Sequence, residues 1–136
     1  MIVLVDTSIW SLMLRRSRHH LSEQQETQLA GLADLVQAGQ ARLMGAVRQE
    51  LLTGIKHREQ FARLRQELRN FPDVAVATED YETAAEISNQ CQTHGLVGTS
   101  IDMLLCAVAL RRGWAIFTSD RDFEFYAKHL DIRLYP

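Results

Sequence analysis

The chain is sparing with residues that mark special environments. Among 136 residues there are only two prolines and two cysteines. No Pro/Gly-rich linker, repeat or low-complexity stretch divides it, so one domain with its own core is expected over residues 1–136. Cys91 and Cys106 both fall in apolar helical stretches, where small buried thiols in a reducing compartment are the ordinary reading. No cysteine–histidine spacing of the zinc-binding kind is present. The longest uninterrupted apolar run, Met103 to Leu110, is well short of a membrane span. The opening Met1-Ile2-Val3-Leu4-Val5 is too short for a signal peptide and has no basic leader. A cytoplasmic protein without membrane association is therefore expected. Neither sign of charge dominates, since 15 Lys and Arg against 17 Asp and Glu leave a net charge of −2. That balance argues against coating nucleic acid by charge alone. It leaves room for a nuclease, whose own acidic site lowers the net charge.

What is present is an alternation of short apolar runs and helical periodicities. Ile2 to Val5 is a β-branched run ending at Asp6 and predicts a buried strand, with a helix from about Ser8. Ser22-Glu23-Gln24-Gln25 has the form of a capping box, and Leu29, Leu32, Ala33 and Val36 recur at helical spacing until Gly39. Arg42 to Met44 predicts a second short strand, followed by a helix around Ala46 to Thr53 that stops at Gly54. Phe61, Leu64, Leu68 and Phe71 form one face of another helix, closed by Pro72. Val74 to Ala77 is strand-like, and Thr78 is placed to cap a helix whose Tyr81, Ala84, Ala85, Ser88 and Cys91 share a face. Thr99 to Arg112, followed by Gly113, predicts a buried helix. Ala115 to Phe117 predicts a strand, then a short helix, and Ile132 to Leu134 a last strand. The alternation implies an α/β fold with a mostly parallel central sheet flanked by helices.

In such sheets ligands lie beyond the carboxyl ends of the strands, where strand order reverses. Asp6 and Asp120 each follow an apolar strand and are candidates for one crevice. Glu50 lies on the helix after the second strand, and Asp102 opens the buried helix. Each acid also has an ordinary structural role open to it. Asp6 can cap a helix, Asp102 can favour a helix N-terminus, Glu50 can be solvated, and Asp122 stands three residues after Ser119 like a capping partner. Jointly the pattern points further. A carboxylate opening the most apolar helix needs partners. Several carboxylates in one cleft require cations, and all-oxygen donors select hard ions such as Mg²⁺ or Mn²⁺.

Four motifs stand in register along the chain: Val5-Asp6-Thr7-Ser8, Glu50-Leu51-Leu52-Thr53-Gly54, Asp102-Met103-Leu104-Leu105-Cys106-Ala107, and Thr118-Ser119-Asp120-Arg121-Asp122-Phe123. Together they resemble the PIN domain, and more narrowly the VapC toxins of bacterial toxin–antitoxin pairs. The resemblance implies a PIN fold and a Mg²⁺- or Mn²⁺-dependent endoribonuclease acting on an RNA substrate. It also implies inhibition by a cognate small antitoxin protein, and a homodimer. It matches Asp6, Glu50, Asp102 and Asp120 to the family's acidic metal-site residues. Thr7 and Ser8 are hydroxyl neighbours that can orient Asp6 or a bound water, and Asp122, Ser8 and Thr118 are possible supporting residues.

Rival readings make distinct demands. An aspartyl-phosphate phosphatase needs a second Asp two residues after its nucleophile, yet position 8 is Ser. An RNA-processing PIN nuclease would lack an antitoxin, and a non-catalytic interaction module would bind no metal. The basic clusters Arg15, Arg16, Arg18, His19, His20 and Lys56, His57, Arg58 read as solvated turns or as RNA backbone contacts. Arg48 is open to either a salt bridge or an RNA contact, and Arg111 and Arg112 to complementing a helix C-terminus. Trp10 and Trp114 read as core or interface side chains. In Phe117 to Phe123 the favoured geometry starts a helix at Ser119, which turns Asp122 away from Asp120.

Overall fold

The computed structural model describes residues 1–14 and 20–136. Arg15, Arg16, Arg18 and His19 of the first basic cluster lie outside them. The order of elements is β1 (Val3–Val5), α1 (Thr7–Met13), α2 (Glu23–Gln37), β2 (Ala41–Arg42), α3 (Gly45–Leu52), α4 (Arg58–Leu68), α5 (Thr78–Thr93), α6 (Ser100–Arg112), β3 (Ala115–Phe117), α7 (Asp122–Ala127) and β4 (Arg133–Leu134). The four strands are all parallel, in the order β2-β1-β3-β4. Every residue of β1 and β3 is buried. Because successive side chains point to opposite faces, both faces of the central pair are covered. No helix among the described residues is long and apolar enough to cross a membrane.

Local signals account for the start of α2 and both ends of α6. Ser22 and Gln25 form the expected reciprocal capping box on α2. Thr99 Oγ1 accepts the Asp102 N–H to open α6, and Gly113 closes that helix with φ of 69°, where a side chain would be strained. Both cysteines are buried and unbonded, and Trp10 is fully enclosed against Phe71.

Three expectations are corrected. Val74 to Ala77 forms no strand, and its neighbourhood makes only one bridge, Leu43 to Asp73. Side chains take the polar groups that a ladder would have used. Arg112 donates to the Ala75 carbonyl and the Asp80 carboxylate accepts the Ala77 N–H. Helix α5 sets Tyr81, Ala84, Ala85 and Ser88 along one groove as expected, while its buried line runs through Asp80, Ile87 and Cys91 and leaves Tyr81 58% exposed. Arg111 and Arg112 hold Asp80 inward at 2.6 and 2.9 Å. Those arginines thus pair with a buried acid rather than merely ending a helix, and Thr78 is not the cap. The last helix begins at Asp122 rather than Ser119. The Asp120 carboxylate accepts the Asp122 N–H at 2.9 Å, the donor that a capping Ser119 hydroxyl would have taken, and the Ser119 N–H donates to Ser8 Oγ.

Candidate metal centre

The site lies where the strand order reverses. From β1 the chain leaves toward β2 on one side, and β3 packs on the other. Val5 pairs with Phe117, and the Asp6 N–H donates to the Phe117 carbonyl at 2.9 Å. Asp6 and the loop after β3 therefore emerge together. Residues from opposite ends of the chain meet there because parallel pairing holds two strand termini in one register.

Asp6 occupies the capping position of α1, but its side chain caps nothing. Its Oδ2 instead accepts from Ser8 Oγ at 2.8 Å and Thr118 Oγ1 at 2.9 Å. Thr118 Oγ1 in turn accepts the Asp120 N–H at 3.0 Å. One hydroxyl thus fixes both strand-end acids relative to each other. With only 7% of its surface exposed, Asp6 is a buried acid held by neutral donors. Glu50 is exposed on α3 and accepts from Thr7 Oγ1 at 2.7 Å, which ties it to the first turn of α1.

Asp102 opens α6. Its backbone satisfies the Thr99 cap, which leaves the carboxylate free to point elsewhere, and Oδ2 accepts from Tyr126 Oη at 3.0 Å. Burial pushes the Asp102 carboxyl above its ordinary range; the Tyr126 hydrogen bond opposes this, and the nearby negative charges of Asp6 and Asp120 add to it. Burial, with Asp102 beside it, raises the Tyr126 phenol, so it stays a donor.

Asp102, Asp120 and Asp122 each bring one carboxylate oxygen to within 4.8 Å of the others. Among the described residues no ion pair reaches Asp6, Glu50, Asp102, Asp120 or Asp122. Arg48, the basic residue nearest Glu50 in sequence, pairs with Asp73 at 2.7 Å and donates to the Leu68 and Phe71 carbonyls. Crowded carboxylates with oxygen donors only, and no cationic side chain among them, fit a hard divalent cation.

Of the acids singled out in the sequence, Asp102 and Asp120 enter the tight group. Asp6 is linked to it through Thr118, and Glu50 stands at the end of the Thr7 hydrogen bond. Asp122 joins the group, contrary to its expected turn away, because the later helix start keeps it beside Asp120. Ser8 orients Asp6 as expected, and Thr118 does so as well. Thr7, expected beside Asp6, serves Glu50 instead, and the contact from Tyr126 to Asp102 was not foreseen. Neither lies at a motif spacing from the acid it serves, and only the packing of α7 on α6 and of α1 on α3 makes the pairings.

The family model described as "PIN domain" matches residues 3–129. Among solved structures, the chain is similar to FitAcB from Neisseria gonorrhoeae, with a TM-score of 0.78 and 20% identity over 99% of this chain and 97% of that one. It is also similar to VapBC2 from Rickettsia felis bound to a DNA fragment from their promoter, with a TM-score of 0.74 and 16% identity over 99% and 98%. A toxin–antitoxin complex from Klebsiella pneumoniae matches with a TM-score of 0.62 and 19% identity over 89% of each chain. On the family match, which spans nearly the whole sequence, this chain belongs to the PIN domain family.

Proposed function

We propose that this chain is a divalent-metal-dependent endoribonuclease and the toxin of a toxin–antitoxin pair. The observation that carries the nuclease reading is the meeting of three carboxylates at the strand-order reversal of a parallel sheet. PIN domains are in general metal-dependent nucleases, and one similar structure is described as a toxin–antitoxin complex. Asp102, Asp120 and Asp122 would hold the cation directly. Asp6 would hold it or a bound water from the Thr118 side, and Glu50 from the α3 side. Mg²⁺ or Mn²⁺, when bound, supplies an acidified water for attack on phosphorus and neutralises charge on the phosphate oxygens.

The chain's own contribution is orientation. Ser8 and Thr118 fix one oxygen of Asp6, Tyr126 fixes one oxygen of Asp102, and Thr7 fixes one oxygen of Glu50. In each case the second carboxylate oxygen is left for the cation or its water. No side-chain nucleophile is needed. Burial raises the thiols of both Cys91 and Cys106, which keeps them protonated.

The expected partner is a small antitoxin that covers the acidic cleft with a basic residue, and the expected assembly is a homodimer. Exposed Tyr81 and Val97 at α5 and the turn before α6 are consistent with a covered face. Mapping RNA ends after brief induction, against an Asp6→Asn control, tests the reading. New ends should appear with the unmutated chain alone, growth should stop, and a co-encoded small protein should restore it. Cleavage that continues undiminished in EDTA would sink the metal mechanism. Harmless expression of a cleaving protein would sink the toxin assignment.

A further inference from the structure

A polar cleft opens beside the carboxylate cluster, enclosing about 580 Å³ between α2 and the loop from β3 to α7. That volume lies in the range of ordinary ligand sites. One wall carries Thr118, Asp120 and Arg121, and the other carries Gln24 and Gln28, with Tyr135 alongside. Gln24 and Gln28 stand four residues apart and share one face of α2. Their side-chain amides make no hydrogen bond among the described residues. The Gln25 amide, by contrast, is committed to the Ser22 N–H. Arg121 is exposed and pairs with no acid among the described residues, although Asp120 and Asp122 flank it in sequence. The Tyr135 ring is held against Phe117 at 4.8 Å between centroids.

These groups have complementary abilities. A guanidinium matches phosphate oxygens in a planar fork. A primary amide offers a donor and an acceptor side by side, the arrangement that pairs with base edges. An aromatic surface accepts any base by stacking. A cleft built only to attract a polyanion would carry several cations; this one sets a single arginine beside the acids Asp120 and Glu124 and carries two uncommitted amides. We propose that it is a base-reading subsite for the nucleotide next to the scissile phosphate. Arg121 holds a backbone phosphate, Gln24 and Gln28 read the base edge, and Tyr135 supplies the stacking surface. The assignment rests on the ribonuclease reading above and adds where sequence preference is set.

The test measures binding of 5′-labelled oligoribonucleotides of differing sequence by fluorescence anisotropy, with EDTA to stop cleavage and the cleft-intact, otherwise unmutated chain as reference. Thermal melts check that each variant is folded. Gln28→Ala and Gln24→Ala should shrink the affinity ratio between the best and worst oligonucleotides, by about fivefold to a hundredfold where the contact is bidentate. Arg121→Ala should weaken all sequences alike and reduce the slope of log affinity against log salt by about one. An unchanged ratio with an unchanged salt slope overturns the proposal, as does failure of the cleft-intact protein to bind any oligonucleotide. Cleavage by the unmutated chain in Mn²⁺ is scored separately. Its absence would remove the ribonuclease reading, while the binding data still decide the role of the cleft.

Discussion

Tyr126 Oη donates to Asp102 Oδ2 across 3.0 Å, so a buried phenol on α7 fixes the orientation of the carboxylate that opens α6. This is a positioning contact, one residue removed from any bound ion. Tyr126→Phe should keep the fold and lower Mn²⁺ affinity by about tenfold or more, as loss of an outer-shell partner does. The hydrogen bond opposes the upward push on the Asp102 carboxyl. Removing it raises that carboxyl further, and protons compete with the ion at higher pH. Titration calorimetry at several pH values should show Mn²⁺ binding lost at a higher pH in the variant. Identical affinity and pH profile would leave Tyr126 with a packing role alone.

Gly98 offers a second way to disturb the same contact. A Cβ there would lie 2.5 Å from Met103 Cε and 3.0 Å from Tyr126 Oη. Gly98→Ala must therefore displace one buried side chain or both, at a cost of about 1–3 kcal/mol. The expected outcome in denaturant titration is a loss of that size together with weakened Mn²⁺ binding. A variant that loses stability with unaltered metal affinity would place the whole strain on Met103.

The carboxylate cluster predicts a metal-dependent stability. Mn²⁺ at about a hundred times its dissociation constant should stabilise the unmutated protein by about 2.7 kcal/mol. Asp120→Asn removes one of three close charges. It should abolish RNA cleavage while raising the melting temperature in EDTA and reducing the upshift given by Mn²⁺. Asp122→Asn should retain measurable cleavage with weaker Mn²⁺ binding. Paired melts and cleavage assays rank the two acids, and the reverse ranking would exchange their roles.

Asp80 predicts the acid limb of stability. The hydrogen bond from Arg112, with Ala77 N–H and Arg111 helping, holds its carboxyl well below the usual range against the opposing cost of burial. A carboxyl depressed in the folded state stabilises the protein above the unfolded-state value, about pH 4. That contribution disappears as pH falls from there toward the folded-state value. Asp80→Asn should cost on the order of 3 kcal/mol at pH 7, since two arginines lose their buried partner. It should also flatten the fall in stability between about pH 4 and pH 2. Denaturant midpoints across that range measure both effects.

The parts of the fold read correctly from sequence are those whose causes are local. β3 follows directly from an apolar run between Gly113 and Thr118, and α6 from a threonine cap and a left-handed glycine. The crevice was legible because Asp6 and Asp120 both sit at strand ends. What escaped was set by which side chain takes which partner. Ser119 has the form of a cap, but the Asp120 carboxylate takes the Asp122 N–H that its hydroxyl would have accepted. The spacing that grouped Tyr81 with Ala84, Ala85 and Ser88 gave no sign that two arginines from α6 would hold Asp80 inward. Nothing in a helical periodicity reports which face a buried ion pair will claim.

Because Val5 pairs with Phe117, Asp6 cannot meet the acids of the loop after β3 until that strand has been made. A polypeptide emerging from the ribosome would carry Asp6 long before Thr118, Asp120 and Asp122 could join it. The order of synthesis therefore delays assembly of the cluster until nearly all of the chain is available. Any product cut short before β3 would contain most of the helices and none of the completed centre.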